Sequence, residues 1–126
     1  MAGLTLDSGA LIAFERGERL VLVHLKEAQN RGAELTVPSP VVAEVWRGGP
    51  RAARLSKLLG ACVVEPLTER LARSAGEALA AVRGATTIDA IVMASAATRR
   101  DWVLTSDPDD LLRLKAHFPE ARVVPL

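Results

Sequence analysis

Short apolar stretches alternate with longer stretches of helical spacing along the whole chain. The short stretches predict five strands, in "GLTL", "AELTV", "ACVVEP", "WVLTS" and "ARVVP". The longer stretches, where apolar residues recur every three or four positions, predict helices in "SGALIAFE", "ERLVLVHLKEAQNR", "PVVAEVWR", "RAARLSKLL", "TERLARSAGEALAAVR", "TTIDAIVMASAATRR" and "PDDLLRLKAHF". Strands that alternate with helices favour βαβ crossovers, which make the strands parallel. The pattern therefore predicts an α/β fold, a three-layer α/β/α sandwich with a mostly parallel central sheet of about five strands.

The composition is that of an ordinary globular chain. With 126 residues, 49% of them hydrophobic, and no linker-like tract, we expect one domain over residues 1–126. A net charge of +1 argues against binding nucleic acid through overall charge, and leaves local basic patches open. The single cysteine, Cys62, excludes an internal disulfide. The start "MAGLTLDSGALIAF" is a poor signal peptide and no apolar run could span a bilayer, so we expect a cytoplasmic protein with no membrane contact.

Acidic residues follow two of the predicted strands. The strands themselves are short and apolar, as is typical of strands covered on both faces. Asp7 comes directly after the first strand and Asp107 after the fourth, where ligands bind in open α/β sheets. Helix capping explains both residues equally well, since "SDPDDLL" has an N-cap aspartate, a proline at the first helical position and first-turn acids. The two explanations stay open at this point.

Two further acids belong to predicted helices. Asp89 lies in the first turn after "TT", where a capping role is adequate. Glu44 lies beyond the first turn, among apolar neighbours, where no cap needs it. If Asp7, Glu44, Asp89 and Asp107 converge, each close pair repels by about 4 kcal/mol at a separation of about 4 Å, whereas each helix N-terminus returns only about 0.3–1 kcal/mol. Such a cluster needs either protonated carboxyls or a divalent cation, for which oxygen ligands suit Mg²⁺ or Mn²⁺.

The ordered set of motifs resembles the PIN-domain nucleases, and most closely the VapC-type ribonuclease toxins of type II toxin–antitoxin systems. The motifs are "LTLDSGALIA", "PSPVVAEVWRG", "TTIDAIVMASA" and "VLTSDPDDL", and they cover nearly the whole chain. Each motif is weak alone, and their order makes the resemblance specific. Two departures are Asp109, which crowds the last motif, and the low aromatic content of 3%.

The resemblance implies an Mg²⁺- or Mn²⁺-dependent endoribonuclease, the toxin of such a module, that cleaves RNA phosphodiesters with metal-activated water. It implies that the metal ligands and catalytic acids are Asp7, Glu44, Asp89 and Asp107. Supporting groups that orient these ligands would be Ser8, Thr105 and Asp110. The implied partners are an RNA substrate, a second copy of the chain in a homodimer, and an antitoxin whose C-terminal segment lies near the acidic residues.

Basic residues give a weaker indication of RNA contact. Arg47, Arg51 and Arg99 belong to predicted helices, where exposed basic side chains are usually only solvated. Contact with the RNA backbone is predicted for them because Arg47 lies close in sequence to Glu44.

An alternative of another class is a non-catalytic PIN-like module that only binds proteins, which metal titration would separate from a nuclease. Two enzyme or signalling classes are excluded by the residues themselves. A haloacid-dehalogenase phosphatase would need an aspartate where Gly9 stands, and a receiver domain would need a lysine after its last strand, where the chain reads "RVVPL".

Overall fold

The computed structural model describes residues 2–126 and confirms the parallel α/β sandwich. Its five strands are β1 (Leu4–Leu6), β2 (Leu35–Pro38), β3 (Val63–Glu65), β4 (Trp102–Thr105) and β5 (Arg122–Pro125). They form one sheet in the order β3-β2-β1-β4-β5, and every neighbouring pair is parallel. The prediction of about five mostly parallel strands is therefore confirmed.

Seven helices cover the two faces of the sheet in the described part of the chain. They are α1 (Ser8–Glu15), α2 (Arg19–Asn30), α3 (Ser39–Val45), α4 (Ala53–Gly60), α5 (Glu69–Ala81), α6 (Thr87–Arg99) and α7 (Pro108–Leu112), with a short 3₁₀ turn over Pro50–Ala52 before α4. Right-handed crossovers place α1–α4 on one face and α5–α7 on the other, and α1 packs on α2, α3 and α4 while α6 packs on α5 and α7. Over residues 2–126, no helix has both the length and the apolar composition that crossing a membrane demands.

The strand order reverses next to β1. The chain moves from β1 outward to β2 and β3, then crosses back to place β4 on the opposite side of β1. A reversal of this kind opens a crevice beyond the carboxyl ends of the two central strands. Asp7 directly follows β1 and Asp107 lies two residues after β4, so both stand at this crevice.

Helix α6 forms the centre of one face. Its seven consecutive residues from Ala90 to Ala96 are all buried, and most of them are small. A helix that is apolar all round can be stable only when it is enclosed, and here β1, β2 and β4 lie on one side of it and α5 on another. The first turn of α6, with Asp89, is thereby fixed relative to the ends of β1 and β4.

Two helices are shorter than the sequence pattern predicts. Helix α3 ends at Val45, and Gly48 and Gly49 continue in the left-handed region with φ of 72° and 73°. Helix α7 ends at Leu112, and its continuation consists of turns closed mostly by hydrogen bonds of the i to i+3 type. These turns still bury Leu114 and Phe118. Apolar residues spaced three and four apart can therefore reach the core from turns as well as from a helix.

Strand β3 corrects another expectation. Its sequence predicts a strand covered on both faces, but Val63 and Val64 are 47% and 40% exposed. The reason is its position, because β3 is one of the two edge strands of the sheet and pairs only with β2 among the described strands. Apolar composition alone does not distinguish an edge strand from a central one.

A polar network lies between α6 and the sheet, and Arg99 is its centre. The Arg99 guanidinium donates to Asp101 (Nε, 2.9 Å), Glu65 (Nη1, 2.6 Å), Ser95 (Nη2, 3.0 Å) and Thr5 (Nη2, 3.1 Å). The hydroxyls complete the set, since Thr5 donates to Asp101 at 2.8 Å and Ser95 donates to Glu65 at 2.6 Å. The Arg99 side chain is 24% exposed and its donors already bind protein groups, which counts against the predicted contact with RNA.

We expect Arg99→Met to lower the free energy of unfolding by about 3 kcal/mol, because it leaves the buried Asp101 carboxylate without its cation. Urea denaturation measures the change. Arg73→Met is the matched control, since the Arg73–Glu69 pair is 77% exposed at both side chains and such pairs contribute less than about 1 kcal/mol. Equal losses in the two variants would contradict a stabilising role for the network.

Candidate active site

Asp7 is a buried carboxyl at the junction of β1 and α1. Its Oδ1 atom caps α1 by accepting the Ala10 amide at 2.9 Å, and the residue is only 7% exposed. Burial raises the pKa of Asp7 to about 6, although hydrogen bonds from the Thr105 hydroxyl and the Ala10 amide oppose the shift. The negative charges of Asp89 and Asp107 raise this pKa further. The capping explanation for Asp7 is thus correct, and it does not remove the electrostatic cost of the charge.

Glu44 reaches the same crevice from α3. The Ser8 hydroxyl, at the first position of α1, donates a hydrogen bond to the Glu44 Oε1 atom. Glu44 itself is exposed to solvent, although its helix buries Val41 and Val45. The contact joins the start of α1 to the end of α3, which is the arrangement expected if Ser8 orients Glu44.

Asp89 contributes from the first turn of α6. The Thr86 hydroxyl caps this helix by accepting the Asp89 amide at 3.1 Å. Burial raises the pKa of Asp89, a hydrogen bond with Thr86 lowers it, and the charges of Asp110, Asp107 and Glu44 raise it. The carboxyls from α3, α6 and the segment after β4 therefore lie within range of one another's electric fields.

Asp107 occupies the N-cap position of α7 but does not act as a cap. Within the part of the chain that the structure describes, its side chain makes no capping hydrogen bond. Its backbone amide instead donates to the Thr105 hydroxyl at 2.9 Å. A hydrogen bond with Asp110 and the charge of Asp110 raise the pKa of Asp107, whereas Arg113 lowers it. Helix capping therefore leaves the carboxylate at position 107 unexplained.

Arg113 is a residue of this region that the sequence analysis missed. Its Nη1 atom lies 3.2 Å from Asp110 Oδ1, and its charge acts on Asp107. The i to i+3 spacing of Asp110 and Arg113 on a helix was the signal that could have identified the pair. Arg113 brings positive charge to a region that is otherwise acidic.

The two other predicted basic residues lie beyond α3. Arg47 is exposed and its Nη1 atom donates to the backbone carbonyl of Trp46 at 2.8 Å, so it closes the end of α3. Arg51 is exposed in the 3₁₀ turn that precedes α4. Both keep guanidinium groups at the surface, in contrast to Arg99.

The acidic set fits a hard divalent cation by its chemistry. Asp7, Glu44, Asp89 and Asp107 offer only carboxylate oxygens, the donors that Mg²⁺ and Mn²⁺ prefer, and their mutual repulsion favours a neutralising ion. As the side chains stand in residues 2–126, no three acidic, histidine or cysteine groups are close enough to hold an ion. Binding an ion would therefore require these side chains to move closer together.

A family model for the PIN domain matches residues 4–116. The chain belongs to the PIN-domain family. The matched range contains all four acids of the crevice, and the family predicted from the motifs is confirmed. No curated protein matches the chain by sequence.

Solved structures show the same fold for this PIN domain. It is similar to a chain of VapBC2 from Rickettsia felis, solved with a DNA fragment from the promoter, with a TM-score of 0.79 and 12% identity over 98% of each chain. It is also similar to a chain of FitAB bound to the IR36 DNA fragment, with a TM-score of 0.64 and 15% identity over 97% of this chain and 94% of that chain. At these identities the likeness is one of fold.

Without metal, we expect Asp7→Asn to stabilise this PIN domain at pH 7. The folded state holds the Asp7 proton with a pKa of about 6 against an ordinary value of 3.8, so stability is lost as pH rises from about 4 to about 6. Two pKa units correspond to roughly 3 kcal/mol, and asparagine keeps the cap on Ala10 while removing the charge. Urea denaturation with chelator, from pH 4 to pH 7, measures the effect.

Asp109→Asn is the control for this experiment, because Asp109 is an exposed aspartate in the first turn of α7. If the free energy of unfolding falls equally in Asp7→Asn and in the wild type between pH 4 and pH 6, the charge of the buried Asp7 does not destabilise the fold.

Proposed function

We propose that this PIN domain is an Mg²⁺- or Mn²⁺-dependent endoribonuclease, the toxin of a type II toxin–antitoxin module, acting in the cytoplasm. The observation that carries the proposal is the gathering of acids at the crevice beyond β1 and β4, where burial raises the pKa values of Asp7 and Asp89 and the charges of neighbouring acids raise them further. Burying carboxyl groups beside like charges lowers the stability of the fold, and groups held at such a cost are concentrated at functional sites. Binding a cation beside a phosphodiester supplies one.

The four acids share one role in this proposal. Asp7, Glu44, Asp89 and Asp107 bind the cation, some of them through water. When bound, Mg²⁺ or Mn²⁺ supplies a Lewis acid that lowers the pKa of the attacking water and neutralises charge on the phosphate.

Three further side chains hold those ligands in place. Ser8 orients Glu44 through the hydrogen bond between their side chains. Thr105 binds the Asp107 amide, and its hydroxyl favours the charged form of Asp7. Asp110 hydrogen-bonds with Asp107 while pairing with Arg113. Groups of this kind fix the orientation of ligands before the substrate arrives.

RNA contact is proposed for the exposed Arg47 and Arg51, and the structure adds Arg113. Arg113 is the nearest candidate to the acids, since it pairs with Asp110. Guanidinium groups bind phosphate oxygens without reading the base sequence, so these residues would hold the RNA backbone beside the carboxylates.

Glu44→Gln and Asp7→Asn should each reduce RNA cleavage by at least about 100-fold, the scale of losing an electrostatic partner in catalysis. Asp107→Asn should fall between these variants and the wild type, because asparagine keeps an oxygen ligand. Asp109→Asn should be nearly silent, because Asp109 is the acid left without a role. Cleavage of bulk RNA with Mn²⁺ measures the activity, and circular dichroism confirms folding.

A double variant, Asp7→Asn with Glu44→Gln, tests the source of the activity. If the folded double variant cleaves as fast as the wild type, a contaminant or another site performs the reaction. The non-catalytic alternative is distinguished in the same preparation, because a protein-binding module would show neither cleavage nor stabilisation by millimolar Mn²⁺.

The partner proposed for this toxin is an antitoxin, supported by the fold shared with chains of the VapBC2 and FitAB complexes. A groove of about 670 Å³ lies between α2 and α4, with an apolar floor that includes Phe14, Leu22 and Leu58. Basic side chains at its rim are Lys26, Arg54 and Lys57, and none of the described residues that line it is acidic. Charge complementarity favours an amphipathic segment of the antitoxin here, with acidic residues beside its apolar ones, in addition to the C-terminal segment expected near the acids of the crevice.

Leu22→Asp should weaken binding of the proposed antitoxin by about 30-fold or more, the scale of a central contact residue in an interface. Leu22 is 43% exposed in the free chain, so the change spares the core. Calorimetry measures the affinity, with Leu67→Asp as a matched control, because Leu67 is 40% exposed and is not among the residues that line the groove. Unchanged affinity in Leu22→Asp would mean that the antitoxin does not bind in this groove.

Light scattering on the free protein tests the proposed homodimer.

A further inference from the structure

Gly9 lies so close to Ser106 that a side chain at position 9 would displace it. A Cβ atom on Gly9 would overlap Ser106 Oγ, and it would lie 3.2 Å from Ser106 Cβ and 3.5 Å from Asp7 Oδ1. The exposed Ser106 hydroxyl can rotate away from such an atom, but Ser106 Cβ cannot, so the backbone that carries Ser106 would have to move by a few tenths of an ångström.

Space, and not backbone conformation, is what requires glycine here. Gly9 is not among the glycines with positive φ, and it lies in the first turn of α1. Alanine is the better helix former at such a position, so a Gly9→Ala change would favour α1 if Ser106 were absent. Gly76 offers a comparison within the same chain, because it lies in α5 where a Cβ would meet no atom of the described residues within 4 Å.

The contact joins the two segments that carry the acids of the crevice. Gly9 is two residues after Asp7, and Ser106 lies between Thr105 and Asp107. The start of α1 and the loop after β4 therefore meet at this close approach beside the Asp7 carboxyl, in addition to the hydrogen bond between Asp7 and Thr105.

We infer that Gly9 and Ser106 are positioning residues for the nuclease site: the missing side chain at position 9 lets the loop after β4 lie against α1, which sets the separation of Asp7 and Asp107. The inference rests on the proposed function for its catalytic consequence, whereas the contact itself can be tested without it. Filling the space would move the loop outward and separate the two acids.

A double-mutant cycle over Gly9→Ala and Ser106→Gly tests the contact. Gly9→Ala alone should lower Tm by about 5 °C, weaken Mn²⁺ binding measured by calorimetry at least about tenfold, and lower kcat for RNA by a similar factor with KM little changed. In a protein that already carries Ser106→Gly, adding Gly9→Ala should leave Tm, Mn²⁺ affinity and kcat unchanged, because the clash is gone and alanine favours the helix. Gly76→Ala should leave Mn²⁺ binding and cleavage unchanged.

The possible results test the positioning role of Gly9 and Ser106 separately from the proposed nuclease function. Additive effects on Tm and Mn²⁺ affinity in the cycle would overturn the inference even if the wild type cleaves RNA. A wild type that cleaves no RNA would overturn the proposed function, while non-additive Tm and Mn²⁺ affinity would still support the contact. If Gly9→Ala fails to fold, folding restored by Ser106→Gly supports the inference, and a double variant that also fails to fold overturns it.

Discussion

The parallel pairing of β1 with β4, in which Leu6 lies opposite Leu104, places the residues that follow these strands side by side. The Asp7 amide continues the ladder by donating to the Leu104 carbonyl at 3.4 Å. Because the two strands connect to helices on opposite faces of the sheet, the chain separates at this point and leaves an open crevice. The burial of Asp7, its proximity to the later acids and the fit of Ser106 against Gly9 all depend on this register.

The acidic residues of the crevice destabilise the fold. Burial raises the pKa of Asp7 to about 6, and neighbouring acids raise it further. The scaffold holds the acids in place by packing far from them: α6 is enclosed over seven consecutive residues, and the donors of Arg99 bind acidic and hydroxyl groups. Opposite charges pair at one end of α6, and like charges approach at the other.

The sequence predicted the features that depend on local order along the chain. Strand and helix alternation predicted the parallel sheet, and positions directly after strands placed Asp7 and Asp107 at the same pole. The absence of a capping role marked Glu44 as a residue that needs another explanation; its side chain is exposed and accepts a hydrogen bond from Ser8. The functional roles of these acids stay a prediction.

Features that depend on distant contacts could not be predicted in this way. The interior position of Arg99 depends on Glu65 and Thr5, which are 34 and 94 residues away along the chain. The exposure of Val63 depends on the strand order, and the fit of Ser106 against Gly9 depends on the separation of two loops. None of these has a periodicity or a motif that marks it in the sequence.

Helix α6 joins two regions of different chemistry through one rigid element. Asp89 at its start and Arg99 at its end are ten residues apart, which is about 15 Å along a helix axis. Since α6 is enclosed along its middle, it cannot bend locally, and a change in tilt at one end must displace the other. The geometry of the acidic crevice is consequently a property of the whole α6 layer, and substitutions that never approach the substrate can alter it.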